Sequence, residues 1–137
     1  MMKTIVFLLM LAASGLAGAE LVVQVEGVRN GKGKVRGLVF TKAGGFPNDH
    51  NAAAAKTTAG AKPGTVLLRF GEVAAQRGSI VVLHDEDGDG KLDKNFVGIP
   101  KEGLGTSNWA KRSKPKFEPT VVDLQKGKPI VIRLRYP

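Results

Sequence analysis

The run SIVVLH at residues 79–84 constrains the fold of this chain more than any other segment. Its centre holds four consecutive apolar residues, three of them β-branched, which is typical of a central strand buried on both faces. The run continues without a break into an acidic segment that begins at Asp85. A strand therefore delivers the chain to that segment, which argues against a helix-loop-helix arrangement there.

The acidic segment, HDEDGDGKLD at residues 84–93, has the alternating carboxylates of a calcium loop. Such carboxylates point to a common centre and repel one another unless a cation neutralises them. The sequence therefore predicts a calcium cofactor, bound at the weak, extracellular end of the range, about 10⁻⁴ to 10⁻³ M. The predicted ligands are Asp85, Asp87, Asp89, the carbonyl of Lys91, and Asp93.

The predicted site is incomplete as an EF-hand. Position 12 of such a loop carries a bidentate Glu, and Phe96 stands there in this chain. Glu86 or Glu102 could fold back to supply the missing ligand. A metal-free turn is the alternative, because Asp, Asn and Gly are also common in ordinary turns.

Residues 1–19 are predicted to be a secretory signal peptide. Lys3 gives a positive start, an apolar run follows, and AGA at 17–19 is a small-x-small cleavage signal. The apolar run is short for a membrane span, although a retained anchor is the alternative. We expect cleavage after Ala19 and one domain over residues 20–137, in the periplasm or outside the cell.

The composition limits both the chemistry and the partners of this domain. The chain has no cysteine, so its own core must hold the fold without disulfides, with a bound metal as the one further source of stability considered. Its 21 Lys and Arg outnumber its 12 Asp and Glu. A basic exported domain suggests contact with an anionic envelope polymer or another envelope protein, while nucleic acid is not expected. The alternative is that the charge serves only solubility.

A cluster of basic residues in the C-terminal third is the candidate polyanion-binding segment. A solvated charge run is the alternative for it, and binding through it would weaken steeply with salt. The candidate residues are Lys111, Arg112, Lys114 and Lys116.

Alternation of apolar and polar residues predicts the remaining strands. We expect one hairpin from residues 21–26 and 34–41, and another from 120–124 and 130–136. A strand at 65–70 and a short helix through 52–55, capped by Asn48 or Asp49, complete the prediction. Residues 85–119 show no sustained periodic pattern of apolar residues. This pattern predicts an all-β antiparallel sandwich or small barrel.

Several motifs resemble one bacterial exported family, the domain of unknown function number 2141. They are GFP at 45–47, the acidic segment at 84–93, NFVGIPKEG at 95–103 and SN at 107–108. The resemblance covers essentially the whole mature chain. It implies a transthyretin-like (Ig-like) antiparallel β-sandwich of about seven strands, with a long irregular loop after the central strand. It implies export and no particular activity.

Polar residues around that long loop are candidates for ligand binding, because loops on a rigid β-scaffold commonly carry function. The alternative is that Phe96, Ile99 and Trp109 only pin the loop to the sandwich. The candidates are His84, Glu102, Ser107, Asn108 and Trp109.

Catalysis has little support in the sequence, and no catalytic residue is predicted. Ser107 lacks the Gly-x-Ser-x-Gly context of a nucleophile. His50 and His84 lack a third ligand at close spacing for zinc. We therefore expect a non-catalytic binding module. The alternatives are a purely structural domain stabilised by calcium and a hydrolase-type enzyme using His84 and Glu102.

Overall fold

The computed structural model describes residues 19–88, 102–109 and 114–137. Within them the regular secondary structure is almost entirely β-strand, which confirms the all-β sandwich. Apart from Ala19, the predicted signal peptide lies outside the described residues and stays a prediction. No helix in the described part is long and apolar enough to cross a membrane.

Eight strands and two short helical turns are described. The strands are β1 (Glu20–Val28), β2 (Lys34–Phe40), β3 (Ala55–Gly60), β4 (Gly64–Glu72), β5 (Arg77–Asp85), β6 (Gly103–Thr106), β7 (Val121–Asp123) and β8 (Ile130–Arg133). A 3-10 turn covers His50–Ala52, and a one-turn helix, α1, covers Phe117–Thr120.

The strands form two sheets. The first has the order β4-β1-β8, and the second has the order β3-β2-β5-β6 with β7 also paired to β5. All pairs in the second sheet are antiparallel. In the first sheet β1 pairs antiparallel with β4 and parallel with β8. The sheets are therefore rich in antiparallel pairs, with one parallel exception.

Both predicted hairpins are wrong, although their strands are present. β1 and β2 lie in different sheets, and β7 pairs with β5 while β8 pairs with β1. The turn after each first strand carries the chain across the sandwich instead of back along the same sheet. Alternation of apolar residues identifies the buried face of a strand, but it does not identify the neighbouring strand.

The main core lies between the two sheets, and β5 is its central element. From Gly78 to Asp85 every residue of β5 is buried, as the apolar run predicted. A second apolar cluster covers the outer face of the second sheet. Its buried members are Leu38, Phe40, Val81, Leu83 and Leu104, and Phe46, Ala53, Trp109 and Phe117 pack against them.

The predicted helix through residues 52–55 is wrong in position and type. A 3-10 turn at His50–Ala52 is followed by β3, which starts at Ala55. The Asp49 cap is confirmed, because its carboxylate accepts a 3.0 Å hydrogen bond from the Asn51 amide. A short alanine run is marginal as a helix, and the free edge of β2 offers it a full set of backbone partners instead.

β6 lies in the stretch that was predicted to be irregular. Leu104 exchanges two backbone hydrogen bonds with Arg135, of 3.0 and 2.9 Å, so β6 joins the second sheet to the end of the first. A Cβ at Gly103 would lie 2.7 Å from the Tyr136 ring, and one at Gly105 would lie 2.8 Å from the Arg133 carbonyl oxygen. The glycines are required by this close crossing.

Candidate metal site and its surroundings

Three carboxylates converge where β5 ends and β6 begins. Candidate ligand oxygens of Asp85, Asp87 and Glu102 lie within 4.8 Å of one another. In the β5–β6 register His84 faces Gly103, so the next pair along is Asp85 and Glu102. Directly opposed residues of antiparallel strands share a face, which explains why the two carboxylates meet.

Two of the three carboxylates are buried and accept hydrogen bonds from the protein. Asp85 is 1% exposed, and its Oδ2 accepts a 2.7 Å bond from Nε of Arg36. Glu102 is 5% exposed, and its Oε2 accepts a 2.8 Å bond from the Glu86 amide. Asp87 is exposed. Carboxylates held this close favour a cation, because burial and mutual repulsion both disfavour their charged form.

The structure brings together part of the predicted ligand set. Asp85 and Asp87 meet as expected, and Glu102 joins them as one of the two residues considered for the missing ligand. Asp89, Lys91 and Asp93 lie outside the described residues, and their role as ligands stays a prediction.

Glu86, the other residue considered, is directed away from the carboxylate cluster. Its carboxylate accepts hydrogen bonds from the Arg29 guanidinium and a 2.6 Å bond from Nδ2 of Asn30. The Arg29 hydrogen bond lowers the pKa of Glu86, and the same bond raises the pKa of Arg29. Arg29 also stacks 4.4 Å above the ring of Tyr136.

His84 is wholly buried on the opposite face of β5, with both ring nitrogens bonded. Nε2 donates to the Lys32 carbonyl at 2.8 Å, because a carbonyl can only accept. Nδ1 accepts a 2.6 Å bond from the Tyr136 hydroxyl, which itself accepts from the Arg29 amide, and burial raises the pKa of that hydroxyl. Since neighbouring residues on a strand face opposite sides, His84 and Glu102 do not share a cleft.

Ser107 and Asn108 bond to backbone groups around α1. Oγ of Ser107 accepts a 3.0 Å bond from the Ile80 amide and donates a 2.5 Å bond to the Thr120 carbonyl. Asn108 has a φ of +49°, and its Nδ2 donates to the Pro119 carbonyl at 2.7 Å. Both side chains thus hold α1 against the end of β6.

Trp109 packs on the second apolar cluster, as the alternative of a pinned loop predicted. The Arg135 guanidinium lies 4.1 Å above its ring and donates a 2.5 Å bond to its carbonyl. Phe46 stacks edge-on between Phe40 and Phe117, with ring centroids 5.6 and 5.8 Å apart. Its place on the second apolar cluster and its contacts with Arg135 give Trp109 a packing role.

The candidate polyanion segment is described only in part. Lys114 and Lys116 are exposed, so they are accessible to an anionic surface. Lys111 and Arg112 lie outside the described residues, and their role in polyanion binding stays a prediction.

The family model for "Uncharacterized protein conserved in bacteria (DUF2141)" matches residues 23–132. This chain belongs to the DUF2141 family. No curated protein and no solved structure matches it. The matched span runs from β1 to β8 and contains the three converging carboxylates. It confirms the resemblance drawn from the motifs, and the description of the family assigns no activity.

This DUF2141 domain also has a groove that the sequence did not predict. A shallow groove of about 370 Å³ on the outer face of the second sheet is lined by Arg36, Gly37, Leu38, His50, Lys56, Thr57 and Thr58. Its outer wall is β3, which was not predicted as a strand. The alternation along β2 placed Arg36 and Leu38 on one face, and that was the only sequence signal for the groove.

Proposed function

We propose that this DUF2141 domain is a non-catalytic, exported binding module whose acidic loop takes up calcium. The observation that carries the proposal is the convergence of Asp85, Asp87 and Glu102 within 4.8 Å. Carboxylate oxygens are the ligands that calcium prefers in proteins. Two of these residues are buried at strand ends, so the strands that hold the sandwich together also position the ligands.

The proposed ion would connect the two ends of the long loop. Asp85 and Glu102 bracket residues 86–101, and calcium needs six to eight oxygen ligands in all. Asp89, Asp93 and the carbonyl of Lys91 would supply further ligands, with water completing the set. An ion held this way would order the loop as a recognition surface.

The non-catalytic part of the proposal is supported by the surroundings of His84. A general base must reach a substrate, yet His84 is wholly buried and bonded at both nitrogens. Its side chain also lies on the opposite face of β5 from Glu102. His84 and Glu102 are the only pair of candidate residues for the hydrolase alternative, and they do not lie in one cleft.

A purely structural role for calcium is the second candidate. It is favoured by the burial of Asp85 and Glu102, because an ion between them would fasten β5 to β6 without any partner. The two roles predict the same ion and differ only in whether the loop binds something when calcium is present.

Calcium binding is tested by thermal melts of the mature chain, with the metal removed and then at 10 mM calcium. For a dissociation constant of about 10⁻⁴ to 10⁻³ M, saturation adds roughly 1.4–2.7 kcal/mol to the free energy of unfolding. We expect the melting temperature to rise by roughly 5–10 °C. Asp87→Asn and Glu102→Gln should reduce the rise, while Glu118→Gln, an exposed carboxylate outside the cluster, should keep it.

An unchanged melting temperature of the parent chain at 10 mM calcium would contradict the calcium proposal. The two roles are then separated by cosedimentation with isolated bacterial envelope, with calcium and with chelator. Calcium-dependent sedimentation that weakens with salt supports the binding module. Stabilisation by calcium without any calcium-dependent sedimentation supports the structural role.

A further inference from the structure

We propose that the groove on the outer face of the second sheet binds the phosphate group of a small ligand. We call it the cationic groove and define it by Arg36, Leu38, His50, Lys56 and Thr58. The side chains that line the groove are not among the proposed calcium ligands, and the inference can be tested without calcium.

The β2–β3 register brings the lining side chains to one face. Arg36 pairs with Thr58, and Leu38 pairs with Lys56. Leu38 belongs to the outer apolar cluster, so its cross-strand partner and its neighbours two residues away point to the same side. His50 reaches this space from the 3-10 turn. The volume, about 370 Å³, is within the range of small-ligand sites.

Arg36 supplies the group best suited to phosphate. Its Nε donates to Asp85, which holds the guanidinium plane in place. Among the described residues, no acceptor engages its two terminal amino groups. A fixed guanidinium with two free N–H arms matches two oxygens of a phosphate. Lys56 is exposed across the strand pair and adds a second positive charge.

His50 carries a polar atom that needs a partner. Its Nε2 is shielded from solvent and has no hydrogen-bond partner within the described part of the chain. Buried polar atoms in native proteins are nearly always bonded, so an orphan atom on a residue that lines a groove points to a ligand. A phosphate oxygen would satisfy it.

The electrostatics around His50 favour an anion. Burial, together with the charges of Arg36 and Lys56, lowers the pKa of His50. The two carboxylates that act on it in the opposite sense, Asp49 and Asp85, already accept hydrogen bonds from the Asn51 amide and from Arg36. Their charge is therefore partly compensated, and a ligand anion would offset the two cations.

The test is a ¹H–¹⁵N NMR titration of the mature chain with inorganic phosphate, in a calcium-free buffer of constant ionic strength. We expect saturable shifts of the amides at 36–38, 50 and 56–58. Lys56→Met and His50→Phe should each raise the dissociation constant at least five-fold. Lys62→Met removes the same charge from the exposed turn after β3 and should leave the constant unchanged.

Glycerol 3-phosphate is the second probe. Binding tighter than that of inorganic phosphate supports a phosphorylated small molecule as the ligand, and equal binding supports free phosphate. Shifts that do not saturate by 50 mM, or that lie outside the groove, overturn the proposal. An effect of Lys62→Met as large as that of Lys56→Met also overturns it, because the binding would then follow net charge alone.

Discussion

Gly33 lies close against the start of the acidic loop. Its φ is +64°, and a Cβ there would lie 1.9 Å from the Asp85 carbonyl oxygen. The turn between β1 and β2 therefore rests directly on the segment that leads to the carboxylate cluster. A side chain at this position would push the two apart.

Gly33→Ala should lower the free energy of unfolding by about 3 kcal/mol, because the cost of a left-handed backbone at a non-glycine residue adds to the cost of an overpacked contact. Gly71→Ala separates the two causes, because Gly71 has a φ of +72° and nothing within 4 Å of a Cβ. It should cost about 1 kcal/mol. Gly60 has neither constraint, and Gly60→Ala should be neutral. Urea unfolding measures all three, and equal costs at 33 and 71 would contradict the contact.

At the level of single residues, only part of the candidate site could be predicted from the sequence. Asp85 and Asp87 were foreseen because their alternation is local. Glu102 was only an alternative, because its approach depends on the β5–β6 register, which is a non-local pairing. The partnership of Arg36 with Asp85 was missed for the same reason, since it depends on the pairing of β2 with β5.

Among the elements, β6 depends on a side chain just beyond its end. The Ser107 amide donates to the Ile80 carbonyl at 2.9 Å, and the Ser107 hydroxyl accepts from the Ile80 amide at 3.0 Å. The hydroxyl thus takes the place of a backbone carbonyl in the ladder. The same hydroxyl donates a hydrogen bond to the Thr120 carbonyl, and this bond ties α1 and β7 to the sheet.

Ser107→Ala should destabilise the domain by roughly 2–4 kcal/mol, because it leaves the buried Ile80 amide and Thr120 carbonyl without this partner. Thr65→Ala, on the exposed face of β4, is the matched loss of a hydroxyl and should stay within about 0.5 kcal/mol. Denaturant unfolding followed by Trp109 fluorescence reports both. A cost for Ser107→Ala below that of Thr65→Ala would refute the role assigned to the hydroxyl.

Strands with large apolar residues were predictable, and those with small residues were not. β1 and β5 carry enough Val, Leu and Ile to reveal which faces they bury. β3 reads AKTTAG, an edge strand without a large apolar residue, and β6 reads GLGT. The glycines of β6 are required because the chain near Tyr136 crosses close to them. No residue within β6 itself predicts that crossing.

In the whole molecule, the pair of Arg29 and Glu86 connects the two sheets. Arg29 follows β1 in the first sheet, and Glu86 follows β5 in the second. The pKa of Glu86 is lowered in the folded state, chiefly by the hydrogen bond from Arg29. The stability that this pair contributes is therefore complete above the ordinary carboxyl pKa, and it is lost as the pH falls through the lowered value.

Glu86→Gln should cost about 1 kcal/mol or less at pH 7, because Arg29 is 44% exposed and solvent screens the pair. The difference between the variant and the parent chain should shrink as the pH falls below the ordinary carboxyl pKa. Urea unfolding from pH 7 to pH 3, in the presence of a chelator, measures it, with Glu118→Gln as the control. A constant difference across that range would mean that the Glu86 charge is not responsible.

The parallel pairing of β1 with β8 has a consequence for how the chain folds. The middle strand of the first sheet is the first of the described strands along the chain, and one of its two neighbours is the last of them. Until Ile130–Arg133 arrive, one edge of β1 exposes unpaired backbone groups, which is a template for aggregation. Contacts between such distant segments also slow folding. We therefore expect β8 to dock late on β1, and the edge of β1 to be open to aggregation until it does.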